Sequence, residues 1–114
     1  MSLEQFQQKI NTTPESIEFS EIIALIDANY DFTPTAFQNG NLHNAVGQNS
    51  GSCKIFSFAK IQNLSQKQTL ACFGAFYRAD VLENPEGDNH QNIRNFMKSG
   101  WEGIKFESDA LTTK

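Results

Sequence analysis

CKIFSFAKI, residues 53–61, can be read in two ways, and the choice decides what kind of fold the chain builds. Phe56 and Phe58 on either side of Ser57 alternate as strand residues would. Lys54, Ser57 and Lys60 instead recur every third residue, leaving Ile55, Phe56, Phe58 and Ala59 as a broad apolar arc. We read a helix, with Ser52 as its N-cap. The preceding GQNSGS, residues 47–52, is then a loop of glycine and capping side chains. Backbone N–H groups in such a loop can cradle an anion. No Lys-Ser or Lys-Thr follows the glycine as in a P-loop, however, and ordinary capping accounts for the composition.

Downstream, Ser65-Gln66-Lys67-Gln68 is a capping box. It opens a helix with Leu70, Phe73, Tyr77 and Val81 inward, ended by Pro85 and Gly87. Asp88 with Gln91 marks the next helix start, Ile93, Phe96 and Met97 form its apolar face, and Lys98 with Gly100 mark its end. Ile104 and Phe106, alternating with Lys105, predict a strand, and the polar tail 109–114 is expected to fray. Upstream, Leu3, Phe6 and Ile10 form the stripe of a short helix within an N-terminal arm, residues 1–18, broken at Thr12-Thr13-Pro14. Ser20 is the expected cap of a second helix with Ile22, Ile23, Ile26 and Tyr30 inward. Asn39-Gly40 predicts a hairpin with both turn residues at positive φ and Phe37 paired with Leu42. The sum is one α+β domain, residues 1–114. About five short helices pack around a small, curved, few-stranded sheet made of the hairpin and the C-terminal strand.

A chain of 114 residues suits one domain with one modest core, and its ten phenylalanines supply much of it. The net charge of −4 and pI near 5.0, with nine cations scattered singly, argue against nucleic acid as a partner. The start MSLEQFQQKI lacks the cationic and apolar regions of a secretory signal, and no apolar run reaches a membrane span. A soluble, monomeric protein folding in the cytoplasm of its producer is expected. Cys53 and Cys72 have no metal-ligand or CxxC spacing and read as buried free thiols. Cys53, in the first turn of its helix, is the better nucleophile candidate, yet GSCK matches no nucleophile signature. His43 and His90 have no ligand spacing either. No metal and no cofactor are expected.

The chemistry concentrates in DNHQNIRNFMKSGWEGIKF, residues 88–106, which holds one of two histidines, one of two arginines and the sole tryptophan. On a helix from Asp88, His90 and Arg94 share a face. Tyr77, Arg78 and Asp80 lie on the preceding helix, and Asn92 and Trp101 complete the candidate pocket. In the functional reading, Arg94 and Arg78 hold an anion while His90 moves a proton. In the plainer reading, Asp80 and Asp88 pair with the arginines, His90 donates to a backbone carbonyl, and the cluster ties two helices together.

Taken in order and spacing, IDANYDFTPTAFQNG, GQNSGSCKIFSFAKI and TLACFGAFYRADVLENPEGDNHQNIRNFMKSGWEGIKF resemble the HopJ type III effector protein family. The likeness runs from about Phe19 to Leu111 and is densest from Phe73 to Trp101. It implies delivery through a type III secretion system and a host or bacterial protein as partner. It implies no reaction and carries no catalytic residues with it. Three readings follow. An interaction module predicts an exposed apolar patch left over after the phenylalanines are placed. A small enzyme or anion-binding protein using the His90/Arg94 face predicts a pocket where those side chains converge. A housekeeping protein predicts that all the polar groups are internal struts.

Overall fold

The computed structural model describes residues 1–114. Helix α1 (Leu3–Thr12) opens on a capping box: the Ser2 hydroxyl accepts from the Gln5 N–H, and the Gln5 side chain accepts from the Ser2 N–H. Phe6 and Ile10 enter the core, so the arm is part of the packed domain. Helix α2 (Phe19–Asn29) starts one residue before the expected Ser20 cap. The Glu21 carboxylate accepts from the Glu18 N–H at 3.2 Å, which moves the boundary back to Glu18. Lys9 bridges to Glu21 at 2.8 Å and clamps α1 to α2.

Tyr30, expected in the helix, begins β1 (Tyr30–Phe32). β2 (Phe37–Asn39) and β3 (Leu42–Asn44) form the hairpin, but the turn is Gly40-Asn41. Only Gly40 takes positive φ, +62°, the arrangement of a type II′ turn with glycine first. This register places Phe37 opposite Asn44 and Asn39 opposite Leu42, not Phe37 opposite Leu42.

CKIFSFAKI is helical. It belongs to α3 (Ser50–Ile61), which begins before the expected Ser52 because Asn49, at φ +53°, is the N-cap. Six of its residues are buried, including Ser57, so α3 runs through the centre of the domain with little polar face. The Ser65–Gln68 box is present at α4 (Gln66–Ala71), but the long helix expected beyond it breaks at Gly74. Gly74 sits at φ +60°, and a Cβ there would lie 2.7 Å from the Phe19 backbone nitrogen. The close pass of α2 over this point needs a residue without a side chain. The chain resumes as a π-helical segment, Phe76–Val81.

α5 (Gln91–Ser99) ends at Gly100, with φ +59° as the stop signal required. The expected strand is β4 (Ile104–Phe106), paired with β2 so that Phe106 faces Phe37. The tail does not fray: β5 (Leu111–Thr113) pairs with β1, and Ala110 and Leu111 are buried. The strands thus form two antiparallel sheets, β3-β2-β4 and β1-β5, where one was expected.

The core is aromatic. Phe56 of α3 meets Phe96 at 4.9 Å, Phe73 at 5.4 Å, Phe37 at 6.1 Å and Trp101 at 6.5 Å between centroids. These spacings suit tilted and edge-on ring contacts. Cys53 and Cys72 are free and buried beside this core. Burial raises both thiols, Cys72 to about 12. Iodoacetamide at neutral pH should therefore label neither in the native protein and both in denaturant, since the thiolate is the nucleophile. Mass spectrometry reads this, and a native Cys72 adduct contradicts it. The unfolded Cys72 thiol ionises near 9.0, whereas the folded one keeps its proton to about 12. Its contribution to stability is whole below the lower value and is lost as pH rises through that interval.

Candidate functional site

The 88–106 cluster does not start as a helix at Asp88. His90 is the N-cap of α5 at φ +53°, a left-handed conformation, and the Gln91 side chain donates to the Asp88 carbonyl. His90 therefore leaves the face on which it would stand above Arg94. Its Nε2 meets the Asp80 carboxylate at 3.0 Å, and its ring lies against Phe76 at 5.2 Å between centroids. The expected carbonyl partner of His90 is replaced by Asp80, a residue that the plainer reading had assigned to an arginine.

Both arginines hold backbone rather than carboxylates. Arg94 donates Nε to the Asn89 carbonyl at 2.6 Å, and one terminal nitrogen to Asn89 Oδ1 at 2.8 Å. Its other terminal nitrogen reaches the Pro85 carbonyl at 3.5 Å. The buried guanidinium thus pins the 85–89 turn onto α5. Arg78 donates to the Ile17 carbonyl at 2.7 Å and links the π-helical segment to the chain before α2. Arg94→Ala should cost about 2–4 kcal/mol, because charged hydrogen bonds contribute about 1.5–3 kcal/mol each. His90→Ala, which breaks a half-exposed pair, should cost under about 1 kcal/mol. Thermal melts of the two variants check this ordering.

Asn92 turns away from solvent into a buried amide network that links α5 to the hairpin. Asn39 Nδ2 donates to the Asn92 carbonyl at 2.8 Å and to Asn92 Oδ1 at 3.0 Å. Asn44 and Asn92 exchange amide hydrogen bonds at 3.0 and 3.1 Å, and Asn49 Nδ2 donates to Asn44 Oδ1 at 2.7 Å. Trp101 donates its indole N–H to the Leu64 carbonyl at 3.0 Å and packs edge-on against Phe96.

The seven candidates do not converge. His90 and Asn92 border a cleft of about 290 Å³ with Phe19, Ser52 and Phe76. Arg94 lies in a separate groove of about 390 Å³ with Leu82, Pro85 and Met97. Tyr77 and Arg78 border a third hollow with Pro14 and Gln68. Only His90 and Asp80 form a titratable pair, and no three His, Cys, Asp or Glu side chains are placed to hold a metal ion. Asn39, Asn44 and Leu82 were missed. Asn39 was read as a turn residue, and neither Asn44 nor Leu82 carried a motif.

A family model described as HopJ type III effector protein matches residues 3–111. The chain belongs to the HopJ family. A crystal structure of the unknown-function protein VPA0580 is similar at 57% identity, covering 100% of this chain and 95% of that one, with a TM-score of 0.98. Comparison with curated proteins finds no match. Within this HopJ chain, no helix is long and apolar enough to cross a membrane.

Proposed function

We propose that this HopJ protein is an effector-type interaction module without catalysis of its own. Its binding surface would be the groove between the 76–87 segment and α5. The observation that carries this reading is the exposed apolar surface there: Leu82 is 47% and Met97 37% exposed, and they face one groove floored by Val81 and Pro85. Phe76, the one phenylalanine of ten left outside the core and its packed margin, borders the separate His90 cleft and is not part of this groove. Arg94 holds the groove's turn rigid, which lowers the ordering cost of binding.

Glu83, Glu86 and Asp88 stand exposed along the same turn. A partner segment with two apolar anchors and flanking Lys or Arg residues would complement them. The protein would act as a monomer on a host or bacterial protein, and its acidic charge disfavours nucleic acid. The family supports delivery through a type III system. Because Phe6 and Ile10 are buried, α1 would have to unpack before export.

Selection from a random 12-residue peptide display library tests the reading, with the Leu82→Glu/Met97→Glu variant as counter-selector. Peptides with paired apolar anchors and basic flanks should emerge and lose at least about tenfold in affinity for the variant. Failure to enrich any sequence, or equal binding to both proteins, contradicts it. The competing enzyme or anion-binding reading required His90 and Arg94 in one pocket, an arrangement this geometry does not support.

A further inference from the structure

Asn39 is the only asparagine of the chain that is followed by glycine. In a free chain that dipeptide is open to succinimide closure, because the nitrogen of a glycine can swing onto the preceding side chain with no Cβ in the way. The Gly40 nitrogen bonds to Asn39 Cγ, the Cγ–Nδ2 bond breaks, and ammonia leaves with the amide proton. Water then opens the ring at either carbonyl and leaves aspartate or isoaspartate at position 39. The step consumes only water.

The fold withholds each part of that motion. Asn39 is fully buried on β2, the central strand of its sheet. Its Nδ2, the leaving group, donates to the Asn92 carbonyl at 2.8 Å and to Asn92 Oδ1 at 3.0 Å, which holds the amide toward α5. The nucleophile is held as well, since the Gly40 N–H donates to the Gly103 carbonyl at 2.9 Å. Asn39 Oδ1 is buried and makes no hydrogen bond, so no donor polarises the carbon under attack.

The same contacts reject the products. Both partners of Nδ2 are acceptors, and a carboxylate in its place brings no hydrogen to either of them. Its charge would be buried where the second oxygen already lacks a donor. Isoaspartate adds one carbon to the main chain of β2, where Asn39 is in register with Leu42 on one side and Ile104 on the other. That extra length breaks the alternation on both edges at once.

We propose that Asn39 is a self-modification site that reacts only while the chain is unfolded, and whose products cannot return to the native fold. Native molecules are protected, and time spent unfolded removes molecules for good. This role is independent of the Leu82–Met97 groove.

Incubation of the full chain at mildly alkaline pH, native and in guanidinium chloride, tests it, with peptide mapping to locate the one-dalton mass gain. Conversion at residue 39 should be at least about a hundredfold slower in the native sample, because it must wait for the strand to open. After dilution from guanidinium, the refolded fraction isolated by size exclusion should carry asparagine at 39, and the modified chains should remain outside it. The Asn39→Asp variant, made without incubation, separates the product from other damage. It should fail to fold or melt at least about 10 °C below the parent. Equal conversion in the two samples overturns the proposal, as does no conversion in guanidinium. So does a refolded fraction as rich in modified residue 39 as the unfolded sample, or an Asn39→Asp variant that melts with the parent.

Discussion

Asn92→Ala is expected to lower unfolding free energy by about 3–5 kcal/mol, because it strips partners from several buried amides at once. Asn39 and Asn44 are fully buried, and Asn92 Oδ1 accepts from both. Without that side chain, Asn44 loses a donor and an acceptor together, keeping only Asn49 on its Oδ1 and a long 3.5 Å bond from its Nδ2 to the Phe37 carbonyl. Each orphaned polar group costs about 1–3 kcal/mol, which sets the total. Asn39 keeps its bond to the residue-92 carbonyl and should hold the hairpin partly in place. The Asn44→Ala/Asn92→Ala double variant should lose less than the sum of the singles, since the two bonds between these side chains are counted in both single losses. Urea denaturation of the three variants checks both statements. A loss below about 1 kcal/mol for Asn92→Ala would mean that the network contributes little.

The second large effect belongs to Gly74. Alanine there must hold φ near +60°, which costs about 1–2 kcal/mol for an L-residue. Its Cβ would also press on the Phe19 nitrogen at 2.7 Å and the Glu18 Cα at 3.2 Å, and both belong to the backbone. Relief requires moving α2 off the core, so the combined loss should reach about 3–5 kcal/mol. Gly47→Ala is the matched control. Gly47 also has positive φ, +81°, but nothing lies within 4 Å of its added Cβ. That variant should show only the conformational cost of about 1–2 kcal/mol. Equal losses at the two positions would remove steric contact with α2 as the cause of the break.

These two sites also mark where sequence reasoning stopped. Ser65 and Gln68 sit three residues apart, so their reciprocal cap was visible without any tertiary knowledge. Gly100 was readable for the same reason, as was the helical character of residues 53–61. The break at Gly74 fell inside the helix expected between Ser65 and Pro85, because its cause, α2, passes from far away in the chain. The tail strand was hidden similarly: Leu111–Thr113 is polar at its end, and its partner β1 is near the other end of the domain. In the candidate cluster, residue types drew attention to Asn92, His90 and Arg94, but not to the partners they hold. Arg94 was expected to meet a carboxylate and instead holds carbonyls of the adjacent turn. His90 and Arg94 were placed on one helical face, and the left-handed turn at His90 separated them. Asn92 proved to belong with Asn39, expected in the hairpin turn, and Asn44, to which no role was assigned; their long-range partners were not visible locally.

What remains of the cluster is a frame: Arg94 fixes the turn, Asn92 ties α5 to the hairpin, and Leu82 with Met97 face outward. The claim that this frame presents an interaction surface is tested most directly by titrating a selected peptide into ¹⁵N-labelled protein. Perturbed resonances are expected at Leu82, Gln91, Met97 and Lys98, abolished by Leu82→Glu/Met97→Glu with the fold intact. Perturbations confined instead to Ser52, Phe76 and His90, or surviving in the double variant, would contradict it.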